Sequence, residues 1–156
     1  MQLPATARRV EHSTDERLND AIRARTDAEV VRLEAASDDE IAQRLRELDE
    51  EWDVERLLQV NASTLVMLGV LLGARVDRRF LLLPAAVFTF FGQHALQGWC
   101  PPIPVFRRLG IRTRKEIDRE IVALKALRGD FDAVREQPGS EHAGQRARAA
   151  WEAARI

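Results

Sequence analysis

Two apolar runs lie almost back to back in this chain, and they limit what it can fold into more than any other feature. Leu57–Ala74, LLQVNASTLVMLGVLLGA, carries no charge over 18 residues. A short charged turn follows, Arg75-Val76-Asp77-Arg78-Arg79, and then a second charge-free run from Phe80 to Phe106. At about 1.5 Å of rise per residue, the first run as a helix reaches roughly 27 Å, close to the hydrocarbon thickness of a bilayer. Pro101-Pro102 pushes Cys100 out of helical geometry, so the second helix is expected over Phe80–Trp99. Pro84 falls in its first turn, where a missing N–H does little harm.

The chain averages hide this pattern. It is 31% charged with a mean hydropathy of −0.29, which looks soluble. Yet residues 1–56 hold 9 Lys/Arg against 16 Asp/Glu, residues 57–106 hold three Arg and one Asp, and residues 107–156 hold 12 Lys/Arg against 8 Asp/Glu. A soluble domain interleaves its charges with its core residues. The opening MQLPATARRVEHSTDER has no apolar stretch after its arginines, so no cleavable signal peptide is expected and any span is internal and retained. The single Cys100 excludes a disulfide-stapled scaffold. Tyr is absent, so the interfacial aromatics are Trp or Phe.

The expected fold class is all-α, a membrane helical hairpin with amphipathic helical arms on both sides. The sequence divides into an acidic, partly helical arm over 1–36, a juxtamembrane helix over 37–56, the hairpin over 57–106, a basic helix over 107–135, and a linker with a weak closing helix over 136–156. Residues 1–12 show no periodicity and are expected to fray. A sparse helix is expected from about Asp15 to Ala36. Ser37-Asp38-Asp39-Glu40 is a capping box. Beyond it Ile41, Leu45, Leu48 and Trp52 make one helix face. No breaker follows, so this helix is expected to run on into the apolar span. Thr113-Arg114-Lys115-Glu116 reads as a second capping box, opening a helix with Ile117, Ile121 and Leu124 that stops at Gly129. A weak, Ala-rich helix is expected over Ser140–Ile156.

Helix-packing signals lie within the hairpin. Gly69 and Gly73 form GxxxG, and Ala85, Thr89 and Gly92 make a comparable small face. Each face suits either the other limb or a second copy. By the positive-inside rule, Arg44, Arg46 and Arg56 on one flank and Arg107, Arg108, Arg112, Arg114 and Lys115 on the other place both termini in the cytoplasm. Arg75, Arg78 and Arg79 in the turn pull against that, and a hairpin that enters and leaves one leaflet stays open.

His94 and Asn61 are polar residues at membrane depth, and a His94 hydrogen bond to Gln97 or Asn61 is one expectation. Cys100 is a candidate thiol, activated by Arg107 and Arg108 nearby in sequence; a small structural residue is the alternative. Three scattered histidines, His12, His94 and His142, and one cysteine give no metal-ligand spacing. There is no phosphate loop, nucleophile elbow or dinucleotide fingerprint. No cofactor, no metal and no catalytic residue beyond Cys100 is therefore expected.

Gly98-Trp99-Cys100-Pro101 follows an apolar span that opens with Arg78-Arg79-Phe80-Leu81-Leu82-Leu83-Pro84. It precedes Leu109-Gly110-Ile111-Arg112-Thr113. In these motifs the stretch of roughly residues 55–114 resembles a small two-helix bacterial inner-membrane domain of unknown function. In some proteins that domain follows a rhodanese-type sulfurtransferase. The resemblance implies an inner-membrane hairpin with cytoplasmic termini that often self-associates. It implies no sulfurtransferase activity, because no segment here supplies the catalytic domain. The expected partners are the lipid bilayer and a second copy or a membrane protein complex, with no nucleic acid. The function expected is a membrane anchor or adaptor acting through helix–helix contacts without catalysis. The alternatives are a thiol-dependent accessory factor in sulfur or redox handling and a soluble all-α interaction module.

Overall fold

The structure is a computed structural model that describes residues 5–135 and 143–155. The described residues are all-α. A 3-10 turn over Thr6–Arg8 leads into α1 (Arg9–His12), and α2 (Glu16–Leu33), α3 (Asp38–Glu50) and α4 (Val54–Arg75) follow. A second 3-10 turn, Arg78–Leu81, leads into α5 (Leu82–Gln97), then α6 (Ile103–Arg108), α7 (Arg114–Leu127), α8 (Asp132–Arg135) and α9 (Ala143–Ala154). Two compact units result, one from residues 1–23 and 52–115, the other from 24–51 and 116–156.

The first unit holds the helical hairpin. Its α4 and α5, each counted with the helix or turn that leads into it, are long and apolar enough to cross a membrane. Gly69 and Gly73 are buried and face the second limb. A Cβ on Gly69 would sit 2.5 Å from Pro84 Cδ, and one on Gly73 would sit 2.6 Å from Leu81 Cδ2. Glycine is therefore what lets the limbs approach this closely. Ala85, Thr89 and Gly92 are exposed, and a Cβ on Gly92 would meet nothing within 4 Å. The unit's core lies at the open end of the hairpin, where Val10, Val54, Leu58, Cys100 and Ile103 are buried together.

The second unit has an ordinary amphipathic core. Leu33, Ile41 and Leu48 bury against Ile117, Ile121 and Leu124. The apolar faces of α3 and α7 thus cover each other. The Ser37 box is formed as the sequence predicts: the Glu40 N–H donates to Ser37 Oγ at 3.4 Å, and the Ser37 N–H donates to Glu40 Oε2 at 2.9 Å. Arg44 donates to the fully buried Glu120 at 2.9 Å. Gly129 takes φ +83° after α7, the conformation a helix stop requires.

Four expectations are corrected. The α3 helix does not run into α4. Glu51 turns extended at ψ 132°, and the Asp53 side chain restarts the helix by accepting from the Arg56 N–H at 2.7 Å. The freed Val54 N–H donates to the Arg112 carbonyl at 2.9 Å, so the break leaves no orphan donor there. Trp52 consequently leaves the α3 face, is 45% exposed, and carries the Arg56 guanidinium 4.6 Å over its ring. The second limb stops at Gln97, two residues early, because Gly98 at φ 80° closes it with its N–H on the His94 carbonyl. Thr6–Arg8 and Arg9–His12 are helical rather than frayed, with Val10 buried. The weak closing helix is present over Ala143–Ala154, within the stretch expected for it; residues 136–142, where the linker and the start of that helix were placed, lie outside the described residues.

Candidate functional site

The polar groups of the first unit converge at the open end of the hairpin. Glu55 sits in the first turn of α4, where a carboxylate suits the helix dipole. One of its oxygens accepts from Arg9 Nη2 at 2.8 Å, and the other meets His94 Nε2 at 2.8 Å. An ionised carboxylate only accepts, so Nε2 carries the hydrogen in this pair. His94 lies one turn before the end of α5, 2% exposed, with its ring tilted 6.3 Å from that of Phe91. Its Nδ1 has no hydrogen-bond partner among the described residues. The His94 hydrogen bond holds the Glu55 carboxyl below the usual carboxylate range against its own burial, and the charge of Arg9 adds to the effect.

The same cluster fastens the N-terminal segment. A Cβ on Gly98 would overlap the Arg9 carbonyl, so the close approach as well as the positive φ selects glycine. The Ser13 hydroxyl donates to the Gln97 carbonyl at 2.9 Å, occupying one of the orphan acceptors at the end of α5. Each member of Gly98-Trp99-Cys100-Pro101 then has a place. Gly98 makes room for Arg9. Trp99 remains 37% exposed, with its ring edge-on to Phe90 at 6.1 Å. Cys100 enters the core. Pro101 opens the turn into α6.

Several sequence expectations change here. His94 does pair, but with Glu55; Asn61 is exposed. The buried seam of α4 runs through Val54, Leu58, Gly69 and Gly73, and Asn61 falls to one side of it. Burial pushes the Cys100 thiol up, the opposite of an activated thiolate. Arg107, counted above in the basic flank, is not at the surface: it is 1% exposed and donates to Asn19 Oδ1 at 2.8 Å and to the Ile111 carbonyl at 3.1 Å. Sequence reasoning passed over Arg9, Asn19 and Glu55. Glu55 alone carried a signal, as an acid two residues before the first charge-free span, in a chain whose second such span holds a single histidine.

Chemically the cluster is a latch. It joins a cation, a carboxylate and an imidazole from α1, α4 and α5 into a neutralised group. Among the described residues no three His, Cys, Asp or Glu side chains are grouped to hold a metal ion. No protein-family model, curated protein or solved structure matches this chain.

Proposed function

We propose that this chain is a small integral membrane protein, anchored by the α4–α5 hairpin and acting as an adaptor or accessory subunit without catalysis of its own. The observation that carries the reading is the bareness of the hairpin. Only 17% and 11% of its two most apolar windows are buried within the protein. Met67 is 62%, Phe88 64% and Leu82 72% exposed. A core helix of a soluble bundle would be covered, and a monomer in water rarely leaves an apolar surface of this extent open. Lipid covers it without further protein.

The polarity at the two ends agrees with insertion. The latch groups Arg9 and Glu55 and the exposed Trp99 lie at one end of the hairpin, and Arg75, Arg78 and Arg79 lie at the other. Trp99 suits an interfacial anchor. The resemblance of residues 55–114 to the two-helix inner-membrane domain supports a bacterial inner-membrane location with cytoplasmic termini. The α3 and α7 faces are spent on each other, so contacts with a second copy or a membrane partner fall to the hairpin. There the exposed small face of Ala85, Thr89 and Gly92 lets another helix approach.

Membranes from expressing cells, washed in alkaline carbonate, should retain the protein; release into the supernatant would favour the soluble interaction module. Topology is read in a Cys100→Ala background with an impermeant maleimide added outside intact cells. Val76→Cys should label and Glu34→Cys should not. Failure of both to label would point to a hairpin that stays in the inner leaflet.

A further inference from the structure

We infer that the hairpin tip, Arg75–Leu82, is a binding surface for the acidic headgroups of phospholipids, an inference that rests on the membrane reading above. Every residue of this stretch is exposed. The guanidinium groups of Arg75, Arg78 and Arg79 have no hydrogen-bond or ion-pair partner among the described residues. The one acid of the turn does not neutralise them by contact: Asp77 Oδ1 is taken by the Arg79 backbone N–H at 2.8 Å, capping the 3-10 turn.

Exposed apolar side chains stand beside these cations, Val76 between Arg75 and Arg78, and Phe80, Leu81 and Leu82 directly after Arg79. Val76 is 69%, Phe80 40%, Leu81 47% and Leu82 72% exposed. This collar adjoins the bare flanks of α4, where Leu68 and Leu71 are 46% and 44% exposed, and of α5, where Phe88 is 64% exposed. Unpaired cations therefore sit at the rim of a surface that lipid covers. That continuity favours a lipid headgroup over an acidic protein segment. Guanidinium groups meet phosphate oxygens through paired N–H donors, which gives them more than charge alone. The net positive turn selects anionic over zwitterionic lipid, at about fivefold per basic residue near the surface.

The test uses the full chain in nanodiscs of mixed phosphatidylglycerol and phosphatidylcholine. Bound lipid is counted by native mass spectrometry after release into detergent. Wild type should retain phosphatidylglycerol over phosphatidylcholine, and added salt should weaken the preference. The R75Q/R78Q/R79Q variant should lose it by on the order of a hundredfold. R75K/R78K/R79K, which keeps the charge, should hold most of it and guards against a folding defect in the glutamine variant. Equal retention of both lipids by wild type overturns the inference, as does an unchanged preference in the glutamine variant. Loss of a co-purifying protein with lipid preference intact would assign the tip to an acidic protein partner and also overturn it. Failure to enter nanodiscs at all, with release by carbonate, would remove the membrane reading itself.

Discussion

The two units of this molecule are built with opposite polarity. In the arm unit, Leu48, Ile117 and Leu124 are fully buried. Most of the charged side chains of α3, such as Asp38, Glu40 and Glu47, face out. In the hairpin, Gly69, Gly73 and Pro84 lie inside and Met67, Phe88 and Leu82 lie outside. The arm unit has solved the problem of water within its own chain. The hairpin has not: its outer face stays uncovered, which is the ground of the membrane reading proposed above. One chain thus carries two ways of disposing its apolar residues, one in each unit.

Charged substitutions should break this comparison most sharply. Leu48→Asp places a carboxylate in the arm core and should cost about 4 kcal/mol, enough to unfold that unit; limited proteolysis should show it. Met67→Asp is the matched test. At the middle of a spanning helix an aspartate costs about 3 kcal/mol of insertion, whereas on a water-exposed surface it would change stability by less than about 0.5 kcal/mol. Reduced membrane recovery of Met67→Asp is expected, and wild-type recovery would argue that the outer face meets water or protein.

Glycine substitutions should give a smaller, asymmetric effect. Gly69→Leu must displace Pro84 and should lower hairpin stability by about 2 kcal/mol in thermal melts of the detergent-solubilised protein. Gly92→Leu meets open space and should leave the melt unchanged while weakening crosslinking between copies. Equal effects of the two would mean that the limbs are not packed through Gly69.

The smallest effect is expected at the latch. Glu55 has its folded pKa lowered, so its contribution is present above the unfolded value of about 4.3 and is lost as pH falls through the folded value. The side chain is 34% exposed, so screening limits the contribution to about 1 kcal/mol. Glu55→Gln should therefore lower the melting midpoint slightly at neutral pH and flatten its decline below about pH 5. An unaltered pH profile would show that the Arg9–Glu55–His94 contact adds nothing.

Local signals were legible where one turn of chain decides the outcome. The Ser37 box, the start of α7 after Thr113 and the stop at Gly129 depend on side-chain and backbone groups a few residues apart, and each stands where the sequence puts it. The length of the charge-free runs fixed the hairpin for the same reason. The end of the second limb did not follow: Pro101-Pro102 set an outer limit, but Gly98 ended the helix first, because Arg9 packs where a Cβ would stand. The break at Glu51–Asp53 needed the Arg112 carbonyl, far along the chain, to take the Val54 N–H.

The candidate site shows the same division. His94 could be singled out from sequence, since an ionisable group in an apolar run is costly unless partnered. Its partner could not, because Glu55 reaches His94 only once the limbs are in register, and Arg9 only once α1 is docked. Cys100 beside two arginines suggested an activated thiol, and the fold turned its sulfur into the core. The sequence by itself determined the helical character of the described residues, the two long apolar limbs and the arginine-rich turn, because hydrophobic length and charge spacing are one-dimensional properties. Only the tertiary structure decided which polar groups meet, because a hydrogen bond across tens of residues depends on register, burial and close approach that no local pattern encodes.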